Sequence, residues 1–280
     1  MVANALSVDI EDWFQVGAFE TVIAREEWSV LEHRVERNTD AVLELFAEGG
    51  VSATFFTLGW VADRHPALMR RIVEAGHEVA SHGWDHQRVF TMGPEQFRAD
   101  LARARATLED ATGAKISGYR APSFSFDSRT PWAHRVLAEE GYAYSSSVAP
   151  LRHDHYGMPD APRRAYRPLN DSGLIELPVT LARFMGREVT AGGGFFRLLP
   201  ASVTDRAIRA ANAEGAPAVF YFHPWEIDPG QPRVDSAPFK SRLRHYARLG
   251  AMRGKLAALI AAHRWDRVDR VLDGVAEVRA

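Results

Sequence analysis

The chain has 280 residues, of which 46% are hydrophobic and 25% charged, a composition typical of a folded globular protein long enough for one large domain. Its formal net charge of −2 excludes the overall basic field that favours binding to nucleic acid or to an anionic membrane. Because the chain has no cysteine, it can form no disulfide, and any metal ion would need histidine and carboxylate ligands.

The first residues, MVANALSVDIEDWF, contain neither the charged nor the long apolar region of a signal peptide. No apolar run in the chain has the length of a membrane span. We therefore expect a cytoplasmic protein without a membrane-spanning segment.

After a first strand at residues 5–9, one pattern recurs along the chain: an amphipathic stretch ends at glycine, and a short β-rich run follows. Asn38 or Thr39 is the expected N-cap of the first helix, and Pro66 is the expected first residue of the second. The strands predicted after these helices are residues 52–57, a run ending near 81, 116–119, 142–146 and 218–222.

The region from about residue 150 to 194 is less regular and is expected to be a long excursion. Within it, GLIELPVT indicates a strand, and three glycines, Gly192 to Gly194, allow a sharp turn or a close approach of the backbone to a ligand. From about residue 236 the chain is basic and helical, which predicts a helix that covers the barrel. We expect residues 1–280 to form a single domain.

Helices that alternate with six to eight short strands predict an α/β fold, a distorted (β/α) barrel with parallel central strands. An open doubly wound sheet is the alternative. The chain lacks the glycine fingerprint of dinucleotide sites and the phosphate-binding loop of nucleotide hydrolases, and both absences disfavour that alternative.

Polar side chains recur where the predicted strands end. Asp9 ends the first strand, His82 and His86 follow the third, Arg120 follows the next, and His223 ends a later one. Because the carboxyl ends of parallel strands meet at one edge of the sheet, we expect these side chains to lie close together.

Two neutral imidazoles and one carboxylate can hold a divalent metal with positions left for water. A second carboxylate can accept the proton of that water, an arginine can keep this carboxylate ionised, and another histidine can protonate a leaving amine. The combination predicts metal-assisted hydrolysis of an amide.

The sequence resembles the polysaccharide deacetylases of carbohydrate esterase family 4, the NodB-homology group, and within them the branch associated with bacterial exopolysaccharide and exosortase loci. The motifs that carry the resemblance run in order from residue 7 to 228: SVDIEDWFQ, TFFTLGWVA, GHEVASHGWDHQRV, GYRAPSFSF, GYAYSSSV, GGGFFRLLP and FYFHPWEID. The resemblance implies a NodB-like barrel and removal of N-acetyl groups from N-acetylhexosamine units of a polysaccharide or its precursor.

The resemblance also implies the roles of individual residues. Asp9 would be the general base, Arg120 the residue that orients it, and His223 the general acid. His82 and His86 would bind one divalent metal, with zinc expected and cobalt, nickel, manganese and iron as alternatives. The backbone N–H groups near Tyr119 to Ala121 would help to stabilise the oxyanion, and Tyr119 is also expected among the substrate-binding residues.

The sequence departs from the family at the third metal ligand. The family motif has two adjacent aspartates, whereas Ile10 follows Asp9 here, so the ligand must be Glu11 or Asp12. Glu11 shares a face with Asp9 if the strand continues, and Asp12 could reach the metal if the chain turns.

Three aromatic residues near the motifs, Trp84, Phe124 and Trp225, are candidates to bind the sugar or to pack around the site. Two other functions remain open: hydrolysis of small cyclic amides or formamides, and carbohydrate binding without catalysis. A closed, narrow pocket with a basic anchor would favour the small amides, and an open aromatic groove would favour a sugar chain.

Overall fold

A computed structural model describes residues 2–152 and 157–274, so residues 153–156 of the predicted excursion and 275–280 of the C-terminal extension lie outside the description. The strands are β1 Asn4–Ile10, β2 Thr54–Thr57, β3 Glu78–Ser81, β4 Gly118–Tyr119, β5 Tyr144–Ser145, β6 Ile175–Glu176, β7 Leu181–Phe184, β8 Arg187–Thr190, β9 Val219–Phe222 and β10 Trp265–Asp266. The helices are α1 Val35–Gly49, α2 Gly59–Arg64, α3 Pro66–Glu74, α4 Pro94–Thr112, α5 Ala133–Glu139, α6 Gly193–Leu198, α7 Ala201–Ala213, α8 Phe239–Tyr246, α9 Leu249–Ala262 and α10 Val268–Asp273.

Eight strands form one parallel sheet in the order β10-β1-β2-β3-β4-β5-β6, and β9 also pairs with β1. Within the described residues β6 has no strand pairing with β9, but the Val219 N–H donates to Thr180 Oγ1 at 2.8 Å across this opening. The sheet is therefore an incompletely closed barrel with helices outside it, which confirms the predicted distorted (β/α) barrel. β7 and β8 form a separate antiparallel hairpin in the excursion.

The first helix begins earlier than the sequence predicts. α1 starts at Val35, and Asn38 and Thr39 are buried inside it instead of capping it. Its first N–H groups are satisfied by Asp12, whose Oδ2 accepts from Arg34 N at 2.7 Å and from Val35 N at 3.0 Å. The cap thus comes from a residue more than 20 positions away, which a local pattern cannot reveal.

The three glycines of the excursion allow the chain to approach its own strand. A Cβ atom at Gly192 would lie 2.4 Å from the carbonyl oxygen of Tyr221 in β9, and Gly193 has a φ of +54°. Only glycine fits both this contact and this turn, so the start of α6 can lie directly against the sheet.

Between residues 236 and 265 the chain forms two helices where one was predicted, because it bends at Arg248, which has a φ of +59°. α9 buries Leu249, Met252 and Leu256 and covers the barrel beside α1. No helix in the described part of the chain is both long enough and apolar enough to cross a membrane.

Candidate active site

Two acidic side chains at the end of β1 line a cavity at the carboxyl edge of the sheet. Asp9 and Glu11 lie on the same face of the chain, and each is at most 3% exposed. Asp12 points elsewhere, since its carboxylate accepts the N–H groups of Trp13, Arg34 and Val35. Of the two acidic residues that the sequence offers as a third ligand, the structure brings Glu11 to the histidines.

The segment after β3 returns on itself and brings both histidines to Glu11. Gly83 and His86 have φ values of +76° and +60°, and the His82 and His86 ring centroids lie 5.5 Å apart. One nitrogen of His82, Nδ1, lies 2.9 Å from the carbonyl oxygen of Arg120. Because a carbonyl can only accept, Nδ1 carries the proton and Nε2 keeps its lone pair for the cavity.

Glu11, His82 and His86 form the metal-compatible cluster of the described residues, with one ligand atom of each within 4.8 Å of the others. Glu11 Oε1 accepts from Trp225 Nε1 at 3.1 Å. Its Oε2 is buried without a well-aligned hydrogen bond and lies 2.9 Å from His86 Nε2. Burial alone would raise the pKa of Glu11, but His86 and His223 beside it lower that pKa to about 2. Burial lowers the pKa of His82 to about 4, so this ring is neutral at physiological pH.

Arg120 is fully buried and fixes Asp9. Its Nη1 donates to Asp9 Oδ1 at 2.6 Å and to Ser7 Oγ at 2.8 Å. Its Nε and Nη2 donate to the carbonyl and hydroxyl oxygens of Ser146, both at 3.0 Å. The guanidinium is therefore held from two sides and keeps the Asp9 carboxylate in one orientation.

His223 lies across the cavity from this pair. Its Nε2 is 3.6 Å from Glu11 Oε1 and 4.0 Å from Asp9 Oδ2, and its Nδ1 is 3.0 Å from Glu226 Oε2. Burial opposes the charge on His223, but Glu11, Glu226 and Asp9 outweigh burial and raise the pKa to about 9. Arg197 in turn donates through Nε to Glu226 Oε1 at 2.9 Å. The chain thus holds a protonated imidazole with its Nε2 directed at the cavity.

Of the predicted aromatic residues, Phe124 and Trp225 line the cavity, whereas Trp84 does not. The Arg103 guanidinium lies 3.4 Å from the Trp84 ring centroid, and Trp84 is not among the residues that line the cavity. The Trp225 ring borders the cavity but is only 6% exposed, and it stacks against both His223 and His245. Trp84 therefore has a packing role, whereas Trp225 both packs against two imidazoles and borders the cavity.

The predicted N–H groups near Tyr119 are already occupied. Arg120 N donates to Ser81 O at 2.9 Å, and Ala121 N donates to Ser147 Oγ at 2.9 Å. The Tyr119 side chain is buried among aromatic rings, with those of Phe97 and Phe126 within about 6 Å. The two N–H groups are paired within the protein, so they do not form the expected oxyanion site. The Tyr119 ring is part of the core, so it does not contact a substrate.

The sequence analysis missed several residues of the site. Glu226 and Arg197 support His223, and Tyr221, Ser123 and Gly17 line the cavity beside the predicted residues. The spacing of Glu226, three residues after His223 at the start of a short helix, was a usable signal because it matches the capping-box arrangement. Arg197 carried no local signal, since its role depends on contacts with residues far along the chain.

Two family models match the chain in succession. Residues 29–144 match the polysaccharide deacetylase family, and residues 146–273 match a domain of unknown function, DUF3473. The first match contains His82, His86 and Arg120, whereas His223 lies in the second and Asp9 precedes both. The site is therefore assembled from three parts of the chain.

Curated relatives match over short segments. A peptidoglycan deacetylase of Helicobacter pylori is 32% identical over 107 residues, which cover 38% of this chain and 36% of the relative. A chitooligosaccharide deacetylase of Sinorhizobium fredii is 36% identical over 85 residues, which cover 30% of this chain and 40% of the relative. The chain thus matches well under half of the length of these relatives.

Solved structures match over nearly the whole chain. A candidate polysaccharide deacetylase from Mycobacterium smegmatis has a TM-score of 0.62 at 22% identity, and the match covers 98% of this chain and 90% of that one. PuuE allantoinase also has a TM-score of 0.62, at 19% identity, and covers 97% of this chain and 89% of that one. At these identities the two structures establish the fold alone.

Proposed function

Because the chain belongs to the polysaccharide deacetylase family, we propose that it hydrolyses N-acetyl groups of N-acetylhexosamine units in a bacterial polysaccharide or its precursor, using one divalent metal. The observation that carries this proposal is the convergence of Glu11, His82 and His86 beside an Asp9–Arg120 pair and a His223–Glu226 pair. The deacetylase names of the curated relatives support the same reaction.

The three residues of the cluster fit a metal ion. Glu11 Oε2 is a buried anionic oxygen without a well-aligned hydrogen bond, and the lone pair of His82 Nε2 is directed into the cavity. One carboxylate and two imidazoles form the donor set that zinc and similar divalent ions accept. A bound ion of this kind polarises a carbonyl group and lowers the pKa of water.

Asp9 is the proposed general base. Arg120 orients its carboxylate through the 2.6 Å hydrogen bond, which leaves Oδ2 directed towards His223 and the cavity. As a water oxygen attacks the amide carbon, this carboxylate accepts the proton that the water loses.

His223 is the proposed general acid. Glu226 beside Nδ1 raises the pKa of the ring, which favours the protonated form that can donate from Nε2 to the amine as the C–N bond breaks. Glu226 accepts from Nδ1 and keeps the ring oriented, while Arg197 holds Glu226. The products are acetate and the free amino sugar.

The shape of the site favours a sugar chain over a small amide. The cavity at Glu11 has a volume of about 210 Å³, and none of the described residues that line it is lysine or arginine. It adjoins a second cavity of about 470 Å³, with which it shares Val16, Gly17 and His86. The cavity at Glu11 therefore lacks the basic anchor expected for small cyclic amides, and two arginines, Arg25 and Arg88, line the second cavity.

The test combines metal content with acetate release from the N-acetylglucosamine tetramer, before and after reconstitution with zinc. We expect about one ion per chain and acetate release that a chelator abolishes. Metal binding without acetate release from any N-acetylated sugar would refute the proposed reaction. If the protein bound the tetramer but neither metal nor turnover were found after reconstitution, it would be a carbohydrate-binding protein.

A further inference from the structure

α8 exposes apolar side chains that the protein itself does not cover. Among the described residues, four large apolar side chains are more than half exposed, and two of them, Phe239 at 72% and Leu243 at 59%, lie one turn apart on this helix. With Tyr246 and Ala247 they border a shallow depression of about 370 Å³. Exposed apolar groups at this spacing form one outward face of the helix.

The surroundings of this face are strongly basic. Residues 233–248 contain five arginine or lysine residues and one aspartate, a local charge of +4 in a chain whose net charge is −2. Arg233 and Arg242 border the depression, and Lys240 and Arg244 are exposed on the same helix. The one acidic side chain, Asp235, is paired with Arg242 at 3.3 Å.

α8 is firmly attached to the rest of the protein. The Arg197 guanidinium, which supports Glu226, also donates to the carbonyl oxygens of Arg244 and His245. The buried His245 ring stacks on Trp225 with centroids 4.2 Å apart. The exposed face is therefore presented by a fixed helix that contacts the residues behind the proposed general acid.

We propose that α8 docks the protein on an anionic lipid bilayer, with Phe239 and Leu243 inserted at the interface and the surrounding cations on the lipid headgroups. An apolar face flanked by lysine and arginine is the arrangement of interfacial helices. Each cation near an anionic leaflet adds to the attraction. Two apolar side chains are few for a stable protein interface, which takes about 20–30 residues on each side.

The experiment is sedimentation of the full chain with vesicles of phosphatidylglycerol and phosphatidylcholine, compared with vesicles of phosphatidylcholine alone. We expect binding to the anionic vesicles only, weakened by added salt. The double variants Phe239→Ser/Leu243→Ser and Lys240→Gln/Arg244→Gln should each bind about tenfold more weakly or worse. Val30→Ser and Arg70→Gln/Lys115→Gln, which change exposed side chains outside α8, should bind like the wild type.

Three results would overturn the proposal. The wild-type chain could fail to bind anionic vesicles, or the double variants could bind as well as the controls. In the third case, sedimentation velocity would show a dimeric wild type and a monomeric serine variant. The last result would assign the face to self-association. Vesicle binding requires no turnover, so a Glu11→Gln chain should bind vesicles normally. The vesicle experiment therefore tests this proposal even if the proposed deacetylation is wrong.

Discussion

The adjacent acidic residues Glu11 and Asp12 allow a sharp test of the metal site, because both are buried and only one faces the histidines. Glu11→Gln replaces the ligand oxygen beside His86 with an amide and should lose bound metal. Loss of a direct ligand should exceed the roughly 10–100-fold affinity loss known for residues that only support ligands. The amide oxygen can still accept from Trp225 Nε1, but the negative charge beside His86 and His223 is lost, so the metal-free protein should also lose some stability.

Asp12→Asn should instead leave the metal bound and lower the stability of the fold. The carboxylate accepts three backbone N–H groups, at 2.8 Å from Trp13, 2.7 Å from Arg34 and 3.0 Å from Val35. Asparagine has one carbonyl oxygen, which can keep the two bonds at the start of α1, but its NH₂ group then faces the Trp13 N–H. Losing one hydrogen bond at this buried site should cost about 1–3 kcal/mol in the free energy of unfolding. Part of this cost is offset, because burial raises the pKa of Asp12 to about 6 and so disfavours the charge that asparagine removes.

Metal content is measured by mass spectrometry of the purified proteins, and stability by urea unfolding in the presence of a chelator. The chelator is needed because a metal that binds only the folded state adds its own stabilisation. Acetate release per folded molecule should fall with Glu11→Gln and persist with Asp12→Asn. If Asp12→Asn lost the metal while Glu11→Gln kept it, the ligand assignment would be refuted.

Four further predictions test the base, the acid, the substrate groove and the core. Asp9→Asn should lower kcat by about 10²–10⁴-fold with metal content unchanged, and turnover near the wild-type rate would exclude Asp9 as the base. His223→Ala should slow hydrolysis most for amides with poor leaving amines; an equal effect on activated substrates would remove it from the acid role. Ala24→Trp, which fills the second cavity, should reduce kcat/KM for the N-acetylglucosamine tetramer at least about tenfold and preserve turnover of the monosaccharide. Ala251→Trp, at an exposed position, is the control. Equal losses on both substrates would contradict a chain-binding groove. Burial lowers the pKa of His77 from 6.5 to about 4, so the unfolded chain binds the proton more tightly than the folded one. The free energy of unfolding should therefore fall as the pH drops from about 6.5 to 4, by up to about 3 kcal/mol. Urea unfolding of His77→Gln should give a flatter pH profile, and parallel profiles would contradict this account.

The repeating pattern of the sequence was sufficient to predict the fold and the edge at which the site lies. Helix periodicity, Pro66 at a helix start and glycine at helix ends are local signals, because each depends on the backbone of a few neighbouring residues. Once the strands are parallel, their carboxyl ends must share an edge, so Asp9, His82 and His223 could be placed together without coordinates.

The tertiary structure alone decided which side chains face the cavity. Asp12 caps a helix more than 20 residues away, Trp225 packs against imidazoles, and Arg197 reaches Glu226 across 29 positions. None of these contacts has a fixed spacing in sequence, because each arises where separate elements pack against one another. Residue types and the spacing of apolar residues determine the helices and strands and the edge of the sheet at which the strands end. The partner of each buried polar group depends on how those helices and strands pack together.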